Sequence, residues 1–291
     1  MKVRANGLDI EVESTGPAGA PAVLLVMGLG MQLTAWPSYF TDPLLAAGYR
    51  VIRFDNRDAG LSQALDHLGV PNILWESLKL KLGLPVRTPY RLHDLAADAL
   101  GVLDALGVQR AHVVGASMGG MVAQRVALAA PERVLSLTSI MSTSGARRLP
   151  GPRSDVLRAL VTPPRDRSEA GRVEHGVRFF QLIGSPGFPT PEPELRERVR
   201  ESMQRSYRPA GTARQLAAVA ADTRRAAELA QVRARTLVVH GRDDPLVPLA
   251  AGEDTARRIP GARLVTIPGM AHDLPRGVVE RLLQDLLPHL G

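Results

Sequence analysis

Short runs of apolar and β-branched residues recur along the chain at 22–26, 50–54, 111–114, 134–140, 236–240 and 263–267. Runs this short, bounded by turn residues, read as strands buried on both faces. Between and after them lie helix-like stretches at 43–47, 92–106, 121–130, 250–258 and 276–290. Such alternation predicts an α/β fold: a mostly parallel, doubly wound sheet with helices on both faces. Ahead of it, residues 2–5 and 8–13 flank Asn6-Gly7, a strong two-residue hairpin signal.

One region breaks the rhythm. From about 144 to 231 no strand pattern occurs, prolines and arginines are frequent, and amphipathic runs at 154–160, 169–182 and 194–206 predict short helices. Phe179, Phe180, Leu182, Ile183, Met203 and Tyr207 supply apolar surface for packing, which argues against a disordered linker. The chain therefore divides into a first core part, 1–143, an inserted helical segment, 144–231, and a second core part, 232–291. A smaller irregular piece, 64–90, has an apolar centre of Ile73, Leu74, Trp75, Leu78, Leu80 and Leu82. Its first reading is a cover over the sheet, with Trp75 as a candidate contact for an apolar substrate.

The candidate chemistry sits where strand patterns end. Gly115-Ala116-Ser117-Met118-Gly119 lies between an apolar strand run and a helix-like run. In that context a Gly-x-Ser-x-Gly places the serine on a tight turn with its hydroxyl exposed at the carboxyl end of the sheet. A serine is a weak nucleophile without a base and a group to orient that base. The run 236–240 ends in Gly241-Arg242-Asp243-Asp244-Pro245, which carries two carboxylates, and the run 263–267 ends in Pro268-Gly269-Met270-Ala271-His272. Serine, acid and histidine thus follow one another in chain order, each after a strand.

With these segments in place the sequence resembles the α/β-hydrolase family over nearly its whole length. Residues 23–30, Val-Leu-Leu-Val-Met-Gly-Leu-Gly, are similar to the family's oxyanion segment, and residues 55–62, Asp-Asn-Arg-Asp-Ala-Gly-Leu-Ser, to its Asp-x-Arg-Gly-x-Gly-x-Ser loop. Met27 stands where histidine is usual and Asp58 where glycine is usual, a combination that resembles the serine esterases typified by aclacinomycin methylesterases. The resemblance implies a triad of Ser117, Asp244 and His272. Asp244 matches the family's Gly-x-x-Asp-x-x-Val-Pro when counted from Gly241, and Asp243 reads as a solvated or loop-bracing carboxylate. It implies an oxyanion hole from the N–H groups of Leu29 and Met118, a helical cap at 144–231, and structural roles for Asp55, Arg57, Asp58 and Asp98. Within the cap, Phe179 and Phe180 join Trp75 as candidate substrate contacts. The implied activity is carboxylic ester hydrolysis of a small-molecule substrate, with no cofactor and no metal. A proline iminopeptidase, a cofactor-free perhydrolase or haloperoxidase, and a small-ligand receptor on the same fold are the alternatives. Met118 and an arginine-heavy cap argue against the first, and the complete triad against the last.

Composition changes this picture little. Of the 36 basic residues only Lys2, Lys79 and Lys81 are lysines, and the arginines are scattered among 29 acidic residues. The net charge of +7 therefore reads as arginine usage rather than a nucleic-acid surface. Zero cysteines exclude disulfides, thiolate metal sites and a cysteine nucleophile. No apolar run approaches the ~20 residues of a membrane span, and the first residues lack the apolar stretch of a signal peptide. The expected setting is the cytoplasm.

Overall fold

The computed structural model describes residues 1–72, 75, 76, 79, 82 and 84–291. Ile73, Leu74, Leu78 and Leu80, part of the apolar centre expected at 64–90, lie outside the described residues. The strands are β1 (Lys2–Ala5), β2 (Leu8–Thr15), β3 (Ala22–Val26), β4 (Arg50–Phe54), β5 (Ala111–Ala116), β6 (Val134–Ile140), β7 (Arg235–Gly241) and β8 (Arg263–Ile267). They form one sheet in the order β1-β2-β4-β3-β5-β6-β7-β8. β1 and β2 pair antiparallel, β2 joins β4 antiparallel, and the remaining pairs are parallel. The hairpin closes at Ala5↔Leu8 with Asn6 and Gly7 both at positive φ, the backbone that a two-residue turn of this hand requires.

The helices are α1 (Ser38–Ala46), α2 (Leu92–Ala105), α3 (Met118–Ala129), α9 (Leu249–Arg258) and α10 (Arg276–Leu290) around the sheet. Between β6 and β7 come α4 (Ser154–Val161), α5 (Glu169–Ile183), α6 (Glu192–Arg205), α7 (Pro209–Ala221) and α8 (Arg225–Glu228). β3 is buried along its whole length, so its side chains serve both faces. Leu24 and Val26 join the apolar layer under α2 and α3, and Val23 and Leu25 join the layer under α1 and α10. The insertion has a small apolar cluster of its own, Val173, Val177 and Val199, with Phe180, Leu195 and Met203 against it.

Two boundaries and one whole element differ from expectation for physical reasons. α1 begins five residues before Pro43, because Pro37 at its N-cap starts the helix and Pro43 is carried inside it. α3 begins at Met118 rather than beyond the glycines: Gly119 packs against the Val26 carbonyl so closely that any side chain would collide. α7 had no expected counterpart; its run of small residues carries little periodic apolar signal.

Candidate active site

Ser117 follows the last residue of β5 with φ 56° and ψ −122°, a strained backbone for a residue with a side chain. The turn needs glycine at both places: a Cβ at Gly115 would run into the Gly119 carbonyl, and a Cβ added at Gly28, in the loop after β3, would stand 3.1 Å from Ser117 Cβ. The Ser117 N–H donates to the Ile140 carbonyl at 2.9 Å, and the Ser142 hydroxyl donates to the Ser117 carbonyl at 2.7 Å. Both bonds tie the elbow to the end of β6.

The ends of β7 and β8 bring the other two groups to it. Asp244 Oδ1 accepts from the N–H groups of Leu246 at 2.9 Å and Val247 at 2.7 Å, which fixes the carboxylate. Its Oδ2 lies 2.7 Å from His272 Nδ1, and His272 Nε2 lies 2.9 Å from Ser117 Oγ. Because a carboxylate only accepts, Nδ1 carries the proton and Nε2 is left to accept from the serine hydroxyl. All three side chains are thus joined in one relay. Asp243 turns away, exposed, and accepts from the Gly269 N–H at 2.8 Å, bracing the loop that carries His272.

His240 lies behind the relay, fully buried, with Nε2 2.7 Å from the Val247 carbonyl and 3.7 Å from Asp244 Oδ2. Burial pulls its pKa down, so the ring stays neutral and donates to that carbonyl. Asp55, Arg57, Asp58 and Asp98 hold loops together. Asp55 accepts from the Leu33 and Leu61 N–H groups at 2.7 and 2.8 Å, and Arg57 grips Asp98 with two bonds of 2.6 Å. Asp58 takes two bonds from Arg214 of α7, at 2.8 and 2.7 Å. Burial alone would raise the Asp58 carboxyl, but the bonds from Arg214, Leu65 and Tyr90 outweigh it and hold it below the usual range.

Beside Ser117 and His272 opens a cavity of about 610 Å³, lined largely by apolar groups that include Leu29, Met118, Met121, Met141, Phe179, Phe180, Leu216 and Val219. Leu29 and Met118 line this cavity together with Ser117, and Met118 opens α3, where the first N–H groups have no partner within the helix. A second cavity of about 780 Å³ adjoins it across Leu29, Met31, Phe180, Leu195, Arg198 and Leu216, and adds polar walls from Gln32, His175, Arg205 and Arg208.

The structure parts the candidate substrate contacts. Phe179 and Phe180 line the cavity beside Ser117, whereas Trp75 lines neither cavity and is 55% exposed, with Lys79 Nζ 5.8 Å from its ring centroid. An aromatic residue in an apolar segment reveals no side from sequence alone; here the ring faces outward. Two residues of the insertion went unnoticed in the sequence. Ser185, buried after α5, accepts from the Ala271 N–H at 2.8 Å and hydrogen-bonds Asp273, so it clasps both neighbours of His272. Burial raises the Asp273 carboxyl above its usual range against those bonds. Gln215 of α7 is fully buried with both amide atoms on core backbone. Neither carries a motif. Among the described residues no cluster of three or more His, Cys, Asp or Glu side chains is placed to hold a metal ion, and no helix is long and apolar enough to cross a membrane.

A family profile described as "alpha/beta hydrolase fold" matches residues 21–275. The chain belongs to the α/β-hydrolase family. It is similar to the rhodomycin D methylesterase DnrP of Streptomyces peucetius, 34% identical over 94% of this chain and 91% of the relative. It is similar also to the putative carbamate hydrolase RutD of Variovorax paradoxus, 30% identical over 98% of each. Among solved structures, a hydrolase from Pseudomonas aeruginosa superposes with a TM-score of 0.70 at 29% identity, covering 100% of this chain and 98% of that one. The resemblance to methylesterase-type hydrolases carried by Met27 and Asp58 is borne out by these relatives, and so is the α/β-hydrolase fold.

Proposed function

We propose that this α/β-hydrolase is a serine esterase that cleaves carboxylic esters through an acyl-enzyme on Ser117. The observation that carries the reading is the continuous relay from Asp244 to His272 to Ser117, with spacings of 2.7 and 2.9 Å, at the wall of an apolar cavity. His272 Nε2 takes the hydroxyl proton as Ser117 Oγ attacks the ester carbonyl, and Asp244 stabilises the imidazolium that forms. The tetrahedral oxyanion rests on the N–H groups of Leu29 and Met118, the second aided by the start of α3. His272 returns the proton to the departing alcohol. Water, deprotonated by the same nitrogen, then attacks the acyl carbon, releases the acid and restores Ser117.

The substrate class follows from shape. A cavity of about 610 Å³ with apolar walls, Phe179 and Phe180 among them, fits a bulky hydrophobic acyl group, and the methylesterase relatives favour methanol as the leaving group. We read residues 144–231 as a cap, since α5 and α7 supply one side of that cavity. The test is intact mass spectrometry after a fluorophosphonate probe, beside Ser117→Ala and a p-nitrophenyl ester chain-length series. A single adduct absent from Ser117→Ala, with turnover that rises with acyl size, is expected. Full ester turnover by Ser117→Ala would overturn the reading.

A further inference from the structure

The loop after β3, which bears Leu29, is held from the insertion rather than from the sheet alone. Gly30 donates its N–H to Gln215 Oε1 at 2.8 Å, and Gln215 Nε2 donates to the Arg57 carbonyl at 2.7 Å. The Gln215 side chain is fully buried and spends both ends of its amide on core backbone, so it joins the loop after β3 to the loop after β4. Its own helix, α7, presses on the same place. Gly30 has φ +66°, and a Cβ there would stand 2.6 Å from Thr212 Oγ1. Residues 212, 215, 216 and 219 share one helical face, and Leu216 and Val219 end in the catalytic cavity. One rigid helix thus touches both the substrate space and the residue next to the oxyanion donor.

We propose that Gln215 is a positioning residue that sets the Leu29 N–H for the developing oxyanion, so the insertion completes the oxyanion hole as well as shaping the cavity. This rests on the esterase reading above. The Gly30 bond fixes the peptide that follows Leu29, and a buried donor left without its acceptor drives the backbone to turn toward another. The carbonyl of the ground state suffers little from such a turn. The transition state, where charge has formed, suffers most.

The experiment compares wild type, Gln215→Met, which loses both bonds, and Gln215→Glu, which keeps the acceptor for Gly30. Active sites are counted by fluorophosphonate titration, and kcat per active site and KM are measured on a p-nitrophenyl ester. Inhibition by a trifluoromethyl ketone, which captures the oxyanion, is compared with that by the matching methyl ketone. Losing an oxyanion donor outright costs about 10²–10³ in kcat, so a loosened one should cost about tenfold or somewhat more. Gln215→Met should show that fall in kcat with KM within about twofold, a parallel loss of trifluoromethyl ketone affinity, and unchanged methyl ketone binding. Gln215→Glu should recover part of the kcat. Should Gln215→Met fold poorly, Gln215→Glu alone still decides, by kcat per active site falling together with trifluoromethyl ketone affinity. Wild-type values for both quantities per active site, with only the number of active sites or the melting temperature reduced, would overturn the proposal. A wild-type protein that neither labels nor turns over esters would overturn the esterase reading and this proposal with it.

Discussion

β3 and β5 are buried end to end and packed between two broad apolar layers, whereas the insertion owns a cluster of three buried valines, lends only Ala218 and Leu229 to the core's buried apolar layers, and adds several polar contacts to the core. Arg214 pairs with Asp58, Arg205 with Asp55 at 2.8 Å, and Asp222 and Arg225 form a buried cluster with Arg125 of α3. Apolar burial is non-directional and tolerates small shifts. A buried ion pair fixes one geometry and penalises every other. The sheet therefore supplies the foundation of the site, and the insertion supplies register to the loops above it.

The sharpest way to probe the foundation is at the acid. Asp244→Asn should cost about 10⁴-fold in kcat by presenting the wrong histidine tautomer. Asp243→Asn, whose carboxylate accepts from the Gly269 N–H, should cost less than about tenfold. Ester kinetics on both variants decide it, and the reverse ranking would move the acid by one position.

The polar docking is tested next. Arg214→Met leaves Asp58 buried without its cation and should destabilise by about 3–5 kcal/mol, read by urea unfolding. Val177→Ala, inside the insertion's small cluster, should cost about 2 kcal/mol. If Val177→Ala proved the costlier of the two, the insertion would be held by its own apolar packing, and the contrast with the sheet would fall.

The smallest effect concerns acid. Burial, more than any neighbouring charge, lowers the His112 pKa from its ordinary 6.5 to about 4, and burial also lowers His289. Between pH 6.5 and about 4 the unfolded chain binds protons that the folded chain refuses. Stability from this source is thus fully present above pH 6.5 and declines as the pH drops toward 4. His112→Gln, which keeps a polar atom for Ser136, should flatten the fall in melting temperature across that window.

Much of this was legible in the chain. The strands at 22–26, 111–114 and 236–240 show because a strand buried on both faces must be apolar throughout, and Ser117 and Asp244 stand out because each follows such a run, with His272 after the partly buried edge strand β8. Gln215 and Ser185 were hidden because a polar residue among small or turn residues looks solvated until a distant segment is folded onto it. α7 itself was hidden for the same reason: its alanines and glycine serve close approach, as Gly211 against the Asp58 backbone, and give no apolar stripe. Trp75 went the other way, an aromatic side chain that the fold leaves outside.

The relay also has an order in time. Ser117 and His272 are 155 residues apart, with the whole insertion between them. At about 5–20 residues per second of synthesis, the serine is made roughly 8–30 s before the histidine. β7 and β8, which carry the acid and the histidine, are also the last strands to be added, at one edge of the sheet. A nascent chain therefore carries Ser117 for a long stage before the two strand ends that complete the relay have been made. If the esterase reading holds, probe labelling of a freshly made chain reports the closing of that edge.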